Sequence, residues 1–477
     1  MPILRHRRFY LYALLAGFVF RLFFIVHFPV TTDDDTVFYA EIAKTWVDHG
    51  TYGQMEDGIP KPTYTRLPGY PAFLAAVFFV FGDSQYLPVL LIQTLFDLGS
   101  CLLIAALTRA MFGEGVALTA LWASILCPFT ANYAAVALTE TLSIFFTTLT
   151  LWSAVKGILV LEETRNWGTK WWLLCGFGIA GATLFRPDGI MLFMVLGIFL
   201  CWRLVRSYHK TQIFLAGALV TMVVVGALAP WTWRNWMVFQ EFQPLAPRYT
   251  NDPWEYVTVG FNRWFKTWPV DFVSLYDIFW KVTSETANTA DTVDLNEIPP
   301  QASDSPMERE QLLALFTAYN EKHFLTPELD DRFAEFARQR IAQHPLQYYF
   351  SLPILRIANM WFRPRTEQLG LEQHWWRFNP PSQSLFSIGY ALLNLLLVVT
   401  AVLGMVKFRH APGAGFLIGF IAFRSAFLGT MENPEPRYVL ECFPVILVFT
   451  GAQIHAVWQK HSSKSYPGAS GPVGQPC

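Results

Sequence analysis

Charge is what this sequence has least of. Only 15% of its 477 residues are charged, against about 25% in a soluble domain, and that shortage excludes one large water-soluble core. There is no excess of bases either: a formal net charge of −1 argues against a nucleic-acid partner. Cysteine is sparse and unpatterned. Cys101, Cys127, Cys175, Cys201 and Cys442 sit in apolar stretches, Cys477 is the last residue, and no C-x-x-C occurs; neither a disulfide framework nor a zinc motif is indicated. No internal repeat is visible. The N-terminal run RHRRFYLYALLAGFVFRLFFIVHFP lacks a small-x-small cleavage site, so it reads as a retained first transmembrane helix and not as a signal peptide.

What the chain has in quantity is apolar sequence, 53% of residues. A span needs about 17–25 residues, and there are ten candidates: 9–29, 86–108, 115–138, 141–160, 170–185, 188–205, 212–232, 384–406, 412–430 and 438–458, of which 170–185 is short and expected to be tilted or half-buried. The prediction is an all-α polytopic membrane protein with about ten transmembrane helices and a mainly helical extracytoplasmic segment. Three parts follow: a transmembrane module over 1–232, whose first outer loop covers 30–85; an outer segment over 233–383; and transmembrane helices over 384–458. A disordered cytoplasmic tail would occupy 459–477. The stretches PGYPAFLAAVFFVFG (68–82) and HPLQYYFSLPILRIANMWF (344–362) are short for spans and read as interfacial helices. Helical periodicity covers MEREQLLALFTAYNEKHF and DDRFAEFARQR, near 306–343.

Orientation follows the bases. Arg5, Arg7, Arg8, Arg203, Arg206, Lys210, Lys407, Arg409, Lys460 and Lys464 all fall on one side when ten helices are threaded, which makes that side and both termini cytoplasmic. The other side receives 30–67, with seven acids against three bases. TTDDDTVFY therefore faces outward.

Ionisable residues at membrane depth are costly, and each is a functional candidate. Arg21 and Asp97 lie at matching depths in their helices and are expected to form a structural ion pair. Toward the outer face, Asp33, Asp34, Asp35, Glu140, Arg186, Asp188, Arg234, Arg424, Glu432, Glu435 and Arg437 gather carboxylates and guanidiniums. Each taken singly is an ordinary helix-end charge. Together they suit a phosphate-bearing lipid and a hydroxyl acceptor: arginine binds phosphate oxygens through a planar fork, and a carboxylate takes the hydroxyl proton. By contrast GFGIAG (176–181) matches the dinucleotide fingerprint but follows no strand; small-residue helix packing explains it.

Six patches in order, DDDTVFYAEIAKTWVDHGTYG, PTYTRLPGYPAFLAAVFFVFGDS, LTETLSIFF, LFRPDGIMLF, APWTWRNWMVF and EPRYVLECFPVILV, resemble the C-type glycosyltransferases (GT-C) that use polyprenyl-phosphate sugars. The nearest branch is that of the dolichyl-phosphate-mannose-protein mannosyltransferases and the aminoarabinose transferases of lipid A. The resemblance implies transfer of mannose or a related hexose or pentose from a polyprenyl-phosphate donor, with inversion, to a lipid, glycan or protein acceptor, at the outer face of a bacterial inner or plasma membrane. It implies an acid of the first outer loop as base: Asp35, four residues before Tyr39, with Asp34 next. It places Arg437 at the lipid phosphate, and Arg186, Lys61, Arg66, Glu140 and Arg234 around donor or acceptor. RLPGYP departs from the HPP-type start of the protein-mannosylating members, which weakens a protein acceptor. No cofactor is implied. Asp33 and Asp35 also form a D-x-D, so Mg²⁺ or Mn²⁺ is a second reading. A transporter or a non-catalytic lipid or cell-envelope assembly protein are the alternatives from other classes; paired broken helices, frequent in transporters, are not seen.

Overall fold

A computed structural model describes residues 2–28, 34–163, 168–206, 209–283 and 292–465. Helix α1 (Pro2–His27) leads to α2 (Asp34–His49), and a two-stranded antiparallel hairpin follows, β1 (Gly53–Glu56) and β2 (Ile59–Pro62). Then come α3 (Gly69–Phe81), α4 (Tyr86–Phe112), α5 (Glu114–Ile125), α6 (Pro128–Tyr133), α7 (Glu140–Glu163), α8 (Thr169–Phe185), α9 (Ile190–Arg206) and α10 (Lys210–Phe239). The middle of the chain forms α11 (Val259–Phe265), α12 (Trp280–Thr283), α13 (Pro306–Lys322), α14 (Pro327–Gln343) and α15 (Leu352–Phe362). The chain then returns to long apolar helices: α16 (Pro381–Lys407), α17 (Ala414–Gly429) and α18 (Phe443–Ser465).

Among the described residues, seven helices are long and apolar enough to cross a membrane. The protein is an all-α integral membrane protein. The expected spans at 170–185 and 412–430 are the shorter helices α8 and α17. The expected span 115–138 does not form: α5 ends at Ile125, and Cys127-Pro128 starts a new short helix, because proline disfavours helical backbone in the residue before it. Pro230, by contrast, lies inside α10, which runs on to Phe239, past the expected boundary at 232. Helix α18 continues to Ser465, so residues 459–465 are helical and not a disordered tail; 466–477 lie outside the described residues.

Helix α18 is the axis of the bundle, buried from Phe443 to Phe449 against α4, α5 and α16, and the 3-10 turn before it (Pro436–Cys442) packs on α7. Outer helices such as α10 leave Phe214, Met222 and Val225 exposed, as lipid-facing surfaces do. Close approach comes from small residues: GFGIAG lies within α8, where Gly176 meets Val223 of α10 and Gly178 meets Thr150 of α7. A Cβ on Gly178 would stand 2.5 Å from Thr150 Oγ1.

Residues 259–283 and 292–337 build a second core around Phe261, Trp264, Phe265, Phe316 and Phe333. Asp330 of α14 accepts from the backbone N–H groups of Gly260 and Phe261 at 2.9 and 2.7 Å, which satisfies the start of α11. Arg356, Arg363 and Arg365, within and just after α15, are buried. Their guanidiniums donate to main-chain carbonyls, among them Lys266 O at 2.6 Å and Pro436 O at 2.8 Å. The exposed face of α15 is apolar, carrying Ile354, Leu355 and Phe362.

Arg21 and Asp97 meet at 2.6 Å between α1 and α4, both buried. Arg21 also donates to the carbonyls of Ser124 and Ile125, at 3.4 and 2.5 Å, where α5 ends. The pair thus ties three helices. Asp97→Asn strands the guanidinium and is expected to cost about 3–5 kcal/mol, read as a lower unfolding midpoint in detergent. Arg21→Met with Asp97→Leu should recover part of that loss. An unchanged midpoint for Asp97→Asn would remove the pair's structural role.

Candidate active site at one end of the bundle

Charges collect where α1, α4, α5, α7, α8, α9 and α18 turn, and the two ends of the bundle differ. One end carries simple pairs, Arg109–Glu114 at 3.7 Å and Arg203–Glu162 at 2.7 Å. The other carries a connected network.

Its centre is built by LFRPDG. Helix α8 stops at Phe185, Arg186 is extended, and Pro187-Asp188-Gly189 makes one tight turn into α9. Gly189 is required there, since a Cβ would run into the backbone of Ala182. Arg186 reaches Glu140 at 2.6 Å, Glu441 at 3.2 Å and Asp188 at 3.3 Å. Arg424 of α17 closes the set from the far side, 2.6 Å from Asp188 and 2.9 Å from Glu441. Glu140 and Glu441 are each only 1% exposed. Such carboxylates are tolerable because every one faces a guanidinium, and Glu140 also opens α7, where the helix dipole favours an anion.

A second set abuts the first. Asp35, in the first turn of α2, accepts from Arg437 at 3.0 Å and from Arg66 at 3.3 Å. Arg437 also contacts Glu435 at 2.5 Å and lies 3.8 Å from Glu140, joining the two sets. Helix α2 is fixed by Thr36, whose hydroxyl donates to Ala137 O at 3.1 Å. Arg66 lies over the Phe38 ring at 4.5 Å, and its carbonyl accepts from Tyr52 at 2.9 Å. Gly69 follows: a Cβ there would sit 2.6 Å from Leu184 O, so RLPGYP lets the start of α3 rest on the end of α8.

Burial alone pushes the Asp35 carboxyl upward, but Arg437 and Arg66 outweigh it and bring it from 3.8 down to about 2. Glu435 goes the other way, since burial raises it and Arg437 offsets this only in part. The Tyr39 phenol, beside Arg66, is pushed up to about 12, chiefly by burial.

Of the residues singled out in the sequence, Asp35, Arg437, Arg186, Arg66 and Glu140 come together. Lys61 does not: it is on the hairpin and pairs with Glu56. Arg234 is also outside the network. It donates to Tyr52 O and Thr63 O, both at 2.7 Å, and so holds the hairpin whose Tyr52 braces Arg66. Asp34 opens α2, and Asp33 lies outside the described residues. Glu441 was missed by sequence reasoning. Its signal is a lone acid inside YVLECFPVILV, which at membrane depth demands a buried base.

This architecture has solved counterparts. The archaeal oligosaccharyltransferase AglB from Archaeoglobus fulgidus, in complex with an inhibitory peptide and a dolichol-phosphate, superposes with a TM-score of 0.53 over 99% of this chain, at 13% identity. The same enzyme tethered to an acceptor peptide also gives 0.53, over 97% of the chain at 11% identity. The family model described as dolichyl-phosphate-mannose-protein mannosyltransferase matches residues 61–231. The chain has a GT-C-like fold. It spans about half the length of AglB, 53% and 51% in the two structures. ArnT from Cupriavidus metallidurans is more distant in shape, with a TM-score of 0.42 at 15% identity over 96% of this chain and 78% of its own. No curated protein matches the sequence. The family match holds α3 to α9 and most of α10, and with them Arg66, Glu140 and Arg186; Asp35 and Arg437 lie on either side of it.

The downward shift of Asp35 fixes a pH dependence. A group whose folded value lies below its ordinary one contributes fully above about pH 4 and loses that contribution as pH falls through about 2. The difference in unfolding midpoint between wild type and Asp35→Asn should therefore stay flat from about pH 5 to 8 and shrink only in strong acid. A difference that changes between pH 5 and 8 would show that the two arginines do not hold this carboxylate.

Proposed function

We propose that the protein is a membrane glycosyltransferase that moves a sugar from a polyprenyl-phosphate donor to a hydroxyl acceptor on the outer face of the membrane. The observation that carries this reading is Asp35 held between two guanidiniums, Arg437 at 3.0 Å and Arg66 at 3.3 Å, at one end of the bundle. A carboxylate and forked cations side by side are the parts the reaction needs: a base for the acceptor hydroxyl and donors for the phosphate that departs. The dolichol-phosphate in the AglB structure and the family match over 61–231 support a lipid-linked donor. Fold alone supports no particular chemistry.

As it stands, Asp35 is a weak base, because both arginines stabilise its anion. The donor's phosphate, a diester with one negative charge until the sugar leaves, competes for those guanidiniums as it enters beside them. Each one that turns to phosphate releases part of its hold on Asp35, and the proton affinity of the carboxylate rises. Donor binding thus prepares the base. The acceptor oxygen then attacks the anomeric carbon, its proton passes to Asp35, and the carbon–oxygen bond to the phosphate breaks with inversion. Arg437 takes the phosphate in this scheme, Arg66 shares it, and Arg186 with Glu140 fixes the floor. The sugar is mannose or a related hexose or pentose, and the acceptor a lipid or glycan in preference to a protein. The two guanidiniums beside Asp35 repel a divalent cation, so transfer without Mg²⁺ or Mn²⁺ is the reading proposed here. The segment 233–383 lies on the same outer side, and both termini are cytoplasmic.

Sugar release from a polyprenyl-phosphate donor by the purified protein tests the scheme. Asp35→Asn should lower turnover by about 10²–10⁴-fold, the usual worth of a general base, while donor binding persists. Arg437→Gln should weaken donor binding as well. Wild-type turnover in Asp35→Asn would end the mechanism.

A further inference from the structure

A second chemical cluster lies well away in sequence from the arginine network, where the loop after α15 meets the chain leading into α12. His374 Nε2 is 3.1 Å from Asp277 Oδ2. Glu297 completes the group: one donor atom from each of Asp277, Glu297 and His374 falls within 4.8 Å of the others. His374 and Asp277 are sheltered, their side chains 12% and 15% exposed, and Glu297 is more open at 36%.

We propose that Asp277, Glu297 and His374 form a binding site for a divalent transition-metal ion of the Zn²⁺ class, which clamps the loop after α15 to the chain at Asp277 and at Glu297. The donor set is one imidazole and two carboxylates with no thiolate, which suits zinc with water in the fourth position. Bonds of about 2.0–2.1 Å in a tetrahedron put neighbouring donors about 3.3 Å apart, near the separation of His374 from Asp277. Behind the ring, Glu372 Oε1 lies 3.0 Å from Nδ1 and also accepts from the His374 backbone N–H at 2.9 Å. A metal-binding histidine characteristically gives its other ring N–H to a carboxylate, which fixes the tautomer and leaves Nε2 as the ligand. Arg377 pairs with Glu297 at 2.9 Å, and Lys281 also acts on Asp277. Against these two cations stand three carboxylates, Asp277, Glu297 and Glu372. With a neutral imidazole the group is one charge negative, and a divalent ion is attracted.

The competing arrangement has no ion: an imidazolium bridging Asp277 and Glu372. Zinc binding separates the two. The purified full chain is stripped with a chelator, dialysed, and titrated with ZnCl₂ against a fluorescent zinc indicator, while its unfolding midpoint is followed in parallel. Wild type is expected to take up one zinc more than His374→Ala, and its midpoint should rise with zinc concentration. Glu372→Gln keeps all three ligands and should weaken binding by about 10–100-fold. Should His374→Ala fold poorly, Glu297→Gln removes a ligand from the other segment and is expected to lose the same zinc. Equal zinc uptake by wild type and the folded ligand variant, or a wild-type midpoint that ignores zinc, overturns the site.

Discussion

A guanidinium taken out of water must find an anion or a row of carbonyls, and the bundle is arranged around that demand. Arg186 and Arg424 are large cations in nearly dry surroundings, and between them they hold Glu140, Asp188 and Glu441. Those acids come from α7, the turn before α9, and the segment that begins α18. Helix ends far apart in sequence are thus pinned together by charge and not only by apolar contact. Removing any member leaves another exposed to the full cost of burial. The same demand acts elsewhere with different partners: Arg21 uses Asp97 and two carbonyls, while Arg356 and Arg365 use carbonyls.

Under the proposed function, that arrangement keeps the site ready in a membrane. Arginines held by carboxylates are already in place and already desolvated, so on that proposal a phosphate that displaces one carboxylate meets groups that need little reordering. The network is close to electrical balance. Five carboxylates face four guanidiniums, counting Asp35, Glu435, Arg66 and Arg437 of the second set with the first. A nearly neutral cluster can sit at the edge of a low-dielectric bundle where a net charge could not.

Much of this was legible in the chain. Long apolar runs identify the helices, and an acid or base within such a run identifies a partner to be sought. Arg21 and Asp97 were matched by depth, and Arg186, Glu140 and Arg437 by the ordered patches. Other features were hidden because they depend on three-dimensional choices. The apolar run 115–138 looks continuous, yet Pro128 and two turns break it. Pro230 looks like a breaker, yet α10 passes through it. Lys61 and Arg66 are equally basic and five residues apart, but the hairpin carries one out to Glu56 and the turn before Gly69 carries the other in to Asp35. Glu441 was obscured by its own surroundings, since a single acid among valines and phenylalanines carries little weight in composition.

Helix α8 has one more consequence. Its glycines face in different directions, Gly176 toward α10 and Gly178 toward α7, and each contact leaves no room for a methyl group. A helix wedged on two sides without slack cannot roll about its axis. One residue of register is about 100° of rotation, enough to carry Arg186, at its end, out of reach of all three carboxylates. The stretch that imitates a nucleotide-binding loop therefore works as an angular stop, holding the aim of a charged side chain about two to three turns further along the helix.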